Sequence, residues 1–188
     1  MHLGGIMFAH PLDDSAELRP LEPWRAAEFA DYCVRDLPNL SPWLPWAEKM
    51  VEVDAARDWL RLFAEGTAAD GRRIFGIWDA GKLVGGTMFR TFETRFATCE
   101  IGVWLAPEAG GRGLITKAAG HMIGWAVEER GINRVEWRCE PANTRSAAVA
   151  ERLGMTREGV LRGAFPTRGT HVDVELWSLL ADEWRARA

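Results

Sequence analysis

Between Cys99 and Met122 the chain reads C-E-I-G-V-W-L-A-P-E-A-G-G-R-G-L-I-T-K-A-A-G-H-M, and this stretch holds its clearest chemistry. An apolar, β-prone run passes through Pro107 into a loop of Gly110, Gly111, Arg112 and Gly113, and an amphipathic helix follows at once. Glycines admit the positive φ of a tight turn, and the first turn of a helix has N–H groups without internal partners, here those of Leu114, Ile115 and Thr116. With the Arg112 cation among them, such amides suit a pyrophosphate. A plain strand-to-helix turn uses glycines in the same way, so the loop alone does not decide. The Walker pattern G-x-x-x-x-G-K-[ST] is absent, and Thr116 stands where a dinucleotide fingerprint has its third glycine.

The elements around the loop must position it. A short strand is expected over 17–21, followed by a helix over 24–34 opened by Pro23. A loop over 39–46 carries Trp43 and Trp46 between prolines, and a second helix runs from about 53 to 65, ended by Gly66. Strands over 74–78 and 82–90 join through the Asp79-Ala80-Gly81 turn, and Thr98 to Leu105 forms a third strand antiparallel to them. After the glycines, Ile115, Ala118, Ala119, Met122, Ile123, Ala126 and Val127 recur at helical spacing, with Gly131 as the stop. Arg134 to Cys139 then closes a right-handed β-α-β unit. A helix over 143–153 and a last strand over 172–180 complete the set.

Composition narrows the class. A chain of 188 residues with 47% hydrophobic and 27% charged residues suits one folded domain over 1–188. No apolar stretch approaches the roughly 20 residues that span a bilayer. A formal charge of -4 disfavours nucleic-acid binding driven by net charge. Cys33, Cys99 and Cys139 are far apart and odd in number, as reduced thiols in the cytoplasm would be. The four histidines form no zinc pattern, so no metal is expected. Residues 1–14 have neither the cationic start nor the apolar core of a secretory signal, and read as a loose arm or an early packing segment.

Several separated blocks, in order, resemble the GNAT superfamily of acetyl-CoA-dependent N-acetyltransferases, and most closely its RimJ/RimL branch. They are E-L-R-P-L, W-L-P-W, G-I-W-D-A-G-K-L-V-G, I-G-V-W-L-A-P-E-A-G-G-R-G-L-I-T-K-A, N-T-R-S-A-A-V-A-E-R-L-G-M and R-E-G-V-L-R-G. The superfamily signature [QR]-x-x-G-x-[GA] sets Gly111 and Gly113 on its small positions, with Glu108 where Gln or Arg is usual. The resemblance implies an α/β fold with a mixed, mostly antiparallel sheet flanked by helices, opened between the strands Thr98–Leu105 and Arg134–Cys139 to admit acetyl-CoA. It implies that the backbone of Val103, Trp104 and Leu105 pairs with the pantetheine arm as an added strand does, and that the phosphates meet Gly110, Gly111, Arg112, Gly113, Leu114, Ile115 and Thr116.

By the same resemblance, the reaction is direct transfer of acetyl to a primary amine, foremost the N-terminal α-amine of a ribosomal or other protein. A small amine such as an aminoglycoside or polyamine is the alternative, as is a non-catalytic acetyl-CoA sensor. A free α-amine titrates near ~8, so a proton must leave before attack, and the departing thiolate gains from a proton donor. Ser146 matches the serine beside the coenzyme sulfur in the RimL branch and is the candidate acid; its bland reading is a first-turn helix residue. Asn143 is a pantetheine contact or an ordinary N-cap. Glu100 is the candidate base or a solvated strand carboxylate, and Glu158 a weaker one. Where the branch carries a further glutamate, this chain has Phe165. Cys139 matches a cysteine near the active site in that branch and reads as a nucleophile or, since direct transfer is the family's habit, as a small apolar packing residue. Trp43 and Trp46 fill a core or wall the acceptor site, and Asp173 and Glu175 lie beside the acceptor cleft or merely on a solvated strand. Branch resemblance also suggests a homodimer.

Overall fold

The computed structural model describes residues 9–167 and 169–187. One eight-stranded sheet runs through it in the order β1-β2-β3-β4-β5-β6-β8-β7. The strands are β1 (His10–Pro11), β2 (Ala16–Pro20), β3 (Arg73–Asp79), β4 (Lys82–Glu93), β5 (Thr98–Leu105), β6 (Arg134–Cys139), β7 (Thr156–Thr167) and β8 (Thr170–Leu180). All neighbours pair antiparallel except β5 and β6. Helices α1 (Ala26–Leu40), α2 (Val53–Ala68), α3 (Leu114–Gly124), α4 (Thr144–Arg152) and α5 (Ala181–Arg185) flank the sheet.

Alternation along the strands splits the apolar side chains into two cores. Ile77, Phe89, Ile101, Val135, Trp137 and Leu179 pack with α3 and α4. Their neighbours Trp78, Met88 and Trp104, with Ile74, pack with α1 and α2 on the opposite face. Trp78, Trp137, Phe29, Leu60 and Ile123 are among the largest fully buried side chains, and burying each aliphatic or Phe side chain contributes about 1.5–3 kcal/mol.

β5 and β6 part company partway along. Their parallel pairing runs from Thr98 opposite Arg134 to Ile101 opposite Trp137 and stops there. Among the described residues, 102–105 therefore keep β4 on one side and have no strand on the other. A register shift between Phe89 and Thr91 of β4 lies beside the parting, and such bulges bend and twist the strand pair that contains them.

Several expectations change. The N-terminus is not a loose arm from His10 on: β1 pairs with β2, Leu12 is buried, and the His10 ring stacks on His121 of α3 at 3.6 Å. The remainder of that arm, residues 1–8, lies outside the described residues. Gly66 does not end α2, which runs on to Ala68; Asp70 takes the left-handed φ of 58° instead, and the Gly71 N–H closes back on the Gly66 carbonyl at 2.7 Å. α1 contains Pro38 and extends to Leu40. The helix after the glycines finishes as a wider π turn over Trp125–Glu129. β7 and α5 went unforeseen. Among the described residues no helix is long and apolar enough to cross a membrane.

Candidate active site

The parting of β5 and β6 opens a cleft of about 1160 Å³. It gathers segments distant in sequence: the free edge of β5, the glycine loop, the start of α3, one face of α4, the Trp43 loop and the β7–β8 hairpin. Val103, Trp104, Leu105, Gly110, Gly111, Gly113, Leu114, Ile115, Thr116, Asn143, Ser146, Glu100, Trp43 and Trp46 all line it.

At one end the lining is mainly backbone. The open edge of β5 presents main-chain groups that no strand takes up, which is the condition for an extended ligand to add as a strand. Gly111 and Gly113 have φ of 82° and 71°, a region that side-chain-bearing residues enter only with strain. Gly113 is the N-cap of α3, and its carbonyl accepts from Lys117 at 2.9 Å. The amides of Leu114, Ile115 and Thr116 lie ahead of that first helical bond and are available to an anion.

Arg112 is turned toward the strand turns beside the loop. It alone of the loop residues 110–113 is not part of the cleft lining. Its guanidinium donates to Asp79 Oδ2 at 2.5 Å, to Asp13 Oδ2 at 2.8 Å and to Ser15 Oγ at 2.8 Å. Two carboxylates within reach outcompete an anion that must first arrive. The cations that do line the cleft near α4 are Arg145 and Arg152, seven residues apart and so on one helix face. Their spacing in N-T-R-S-A-A-V-A-E-R was the available signal. Arg152 Nε also reaches Thr116 Oγ1 at 3.5 Å.

Ser146 sits where β6 and α4 meet. Its Oγ accepts from Trp137 Nε1 at 2.9 Å, an arrangement that leaves the hydroxyl hydrogen to be donated elsewhere. Asn143 caps α4: its Oδ1 accepts from the Ser146 N–H at 3.2 Å. The cap fixes the first turn and with it the Ser146 backbone. Cys139 lines the cleft beside Ser146; burial pushes its thiol up to about 11, only partly offset by the Ser146 hydroxyl. A thiol of that kind is mostly protonated at neutral pH.

The candidate carboxylates fare differently. Glu100 is buried, its Oε1 accepting from Arg90 Nη1 at 2.5 Å and its Oε2 lying 3.8 Å from Arg138 Nε. It faces the cleft as part of a charged group and not as a solvated strand residue. Glu158 does not line the cleft; its two oxygens accept from Arg134 at 2.7 and 2.6 Å, and that pairing, with a Ser178 hydrogen bond, holds its carboxyl down near 2. Asp173 and Glu175 do not line the cleft. Asp173 accepts from the Gly163 N–H, and Glu175 is buried against Arg157 and Trp177.

The far end of the cleft is a wall of side chains. Trp46 packs between Trp59 at 5.0 Å and Trp104 at 5.6 Å, whereas Trp43 is 38% exposed at the rim. Trp59 and Phe63 of α2, Met88 of β4, and Leu161 and Phe165 of β7 join them. Apart from Phe165, which the resemblance singles out, none has a local signature in the sequence, since each is an ordinary apolar residue of its own element. Among the described residues no group of three or more His, Cys, Asp or Glu could hold a metal.

Comparison with known proteins gives this arrangement a context. The chain is 32% identical over 183 residues to "Putative ribosomal N-acetyltransferase YdaF" of Bacillus subtilis (strain 168), covering 95% of this chain and 98% of that one. It is 30% identical over 110 residues to the ribosomal-protein-serine acetyltransferase of Escherichia coli (strain K12), covering 58% and 62%. The fold matches that of a RimL ribosomal L7/L12 alpha-N-protein acetyltransferase in complex with coenzyme A, with a TM-score of 0.87 at 20% identity over 93% of this chain and 99% of that one. The model of the acetyltransferase (GNAT) domain matches residues 18–156, and together with the split sheet and the glycine loop this places the chain in the GNAT acetyltransferase family.

Proposed function

We propose that this protein moves the acetyl group of acetyl-CoA directly to a primary amine, the N-terminal α-amine of a protein or peptide. The observation that carries the reading is the meeting, in one cleft, of the open β5 edge over residues 102–105, the amides at the start of α3 and the Ser146 hydroxyl. In this reading the pantetheine arm pairs with Val103 and Leu105, and its diphosphate lies on the amides of 111–116, with Arg145 and Arg152 supplying the positive charge. The thioester then points past Asn143 toward Ser146, between the two ends of the cleft.

The acceptor amine enters past Trp43 and Phe165, where a flat apolar wall suits a peptide end more than a polycation. It must be neutral to attack, so the rate rises with pH up to about 8, the ordinary range of an α-amine. Its proton passes to water held in the cleft or to the Glu100 carboxylate. Attack forms the C–N bond, the tetrahedral intermediate collapses, and the C–S bond breaks as Ser146 O–H donates to the leaving sulfur. The further proton that the nitrogen loses on becoming an amide returns through cleft water to the Ser146 oxygen. Relatives named for ribosomal proteins support a protein N-terminus as acceptor.

The test is calorimetry with acetyl-CoA followed by thiol release against N-terminal peptides, polyamines and aminoglycosides. Binding with release from peptides is expected. Release from small amines alone would move the acceptor to that class, and binding without release from any acceptor would make the protein a coenzyme sensor.

A further inference from the structure

The glycine loop raises a mechanical question. Gly111 and Gly113 are both left-handed, with φ of 82° and 71°, and glycine is the residue that loses most conformational freedom on being fixed. A loop of this composition does not hold its own shape, yet a set of amides binds an anion well only when preorganised. Something outside the loop must restrain it.

The one side chain between those glycines is that of Arg112, and all three of its guanidinium nitrogens are engaged. Nε donates to Asp13 Oδ2 at 3.2 Å, Nη1 to Asp79 Oδ2 at 2.5 Å, and Nη2 to Asp13 at 2.8 and 2.9 Å and to Ser15 Oγ at 2.8 Å. The acceptors are themselves fixed. Asp13 Oδ1 accepts from the N–H groups of Ser15 and Ala16 at 3.0 and 2.9 Å, Ser15 Oγ donates to Asp79 Oδ1 at 2.6 Å, and the Ala80 N–H donates to the Ser15 carbonyl at 2.9 Å. The turn between β1 and β2 and the turn between β3 and β4 thus form one anchor, and His10, on the same N-terminal segment, stacks on His121 of α3.

Charge counts against Arg112 as a phosphate ligand. Two carboxylates surround one guanidinium, so the cluster carries a net negative charge. Were Arg112 to swing to a diphosphate, Asp13 and Asp79, with side chains only 23% and 22% exposed, would lose their cation.

We propose that Arg112 is a positioning residue: by locking onto Asp13, Ser15 and Asp79 it sets the shape of the glycine loop, so that the amides and not the guanidinium meet the coenzyme. The N-terminal segment thereby becomes a structural part of the coenzyme site. The inference rests on the coenzyme reading above. Isolated exposed ion pairs contribute little, but a guanidinium fork in a network with several acceptors is the exception.

The two readings of Arg112 predict opposite signs. Replacing both anchors (Asp13→Asn with Asp79→Asn) breaks the lock while releasing a free cation beside the cleft. On the full-length chain, calorimetry with acetyl-CoA should then show binding weakened by about fivefold to tenfold. The KM for coenzyme should rise in step, with kcat at saturating coenzyme and the acceptor KM unchanged. Arg112→Ala should weaken binding as much, and adding it to the double variant should cost nothing more, because the three residues act as one unit. Arg112→Lys, which keeps the charge and loses the fork, should behave like Arg112→Ala. Unchanged or tighter binding in the double variant, or wild-type affinity in Arg112→Lys, overturns the proposal while the coenzyme reading stands. No binding by the wild-type protein overturns the coenzyme reading, and this inference with it. Thermal melts of each variant, expected within a few degrees of wild type, separate loop misplacement from unfolding, and a kcat loss matching the KM change would also overturn the proposal.

Discussion

The two ends of the cleft are built from different materials. The end at the glycine loop uses main chain: a strand edge over residues 102–105, two left-handed glycines and the open first turn of α3. The opposite end uses side chains brought from the Trp43 loop, α2, β4 and β7, with Trp43, Trp59, Phe63, Met88 and Phe165 among them. Main-chain groups are the same whatever the residue, so the first end can serve one invariant ligand and depends on conformation. Side chains differ at every position, so the second end can be retuned to a new acceptor without disturbing the first. Ser146 stands between them, held by Trp137 and by the Asn143 cap.

That contrast can be broken first at the loop. Gly113→Trp puts a large side chain on a residue with φ of 71° at the mouth of α3, and is expected to cut acetyl-CoA affinity by more than about a hundredfold; a strained left-handed residue costs about 1–3 kcal/mol in addition to the lost space. Calorimetry reads the first effect and a thermal melt the second. At the junction, Ser146→Ala should lower kcat by about a hundredfold with coenzyme affinity intact, measured by thiol release against binding. A fall in affinity equal to the fall in kcat would instead make Ser146 a binding residue.

The side-chain end should respond in the complementary way. Trp43→Ala removes a rim residue that is 38% exposed, so the fold should survive; a rise of about tenfold in acceptor KM is expected, with coenzyme affinity constant. Equal effects on both substrates would erase the distinction between the ends. The smallest effect lies outside the cleft, at Glu158, whose folded carboxyl is held near 2 by Arg134 and then by Ser178. That is below the ordinary glutamate value of about 4.3, so its contribution to stability is present above that value and is lost as pH falls from there toward 2. Glu158→Gln should therefore melt lower than wild type near neutrality, by a degree or so, since the pair is largely solvated. The gap should close by about pH 2, as followed in melts across that range.

Local order was legible where a signal is local. The Asp79-Ala80-Gly81 turn appears as expected, with Ala80 and Gly81 both left-handed between β3 and β4, and the bounds of β5 and β6 agree with the alternation of their residues. β7 was missed because its residues are almost all exposed and show no alternation of apolar and polar. Gly66 reads as a stop because glycine is the usual one, whereas Asp70, four residues on, adopts the left-handed conformation. At the site, the glycine-loop and helix residues carried by a motif line the cleft except Arg112, and beyond Trp43 and Trp46 the aromatic wall did not announce itself, because an aromatic residue that lines a cavity looks like one that fills a core.

Arg112 marks the boundary between the two kinds of information. Its type, its place between two glycines and the helix that follows were fixed by the sequence, as were the strand before it and the family to which the whole pattern belongs. Which anion its guanidinium meets was decided by the tertiary fold, which brings Asp13, ninety-nine residues away along the chain, within 2.8 Å. Backbone conformation answers to nearest neighbours, so a chain read in order reveals it. A charge pairs with whatever lies closest in space, and only the folded sheet sets that distance.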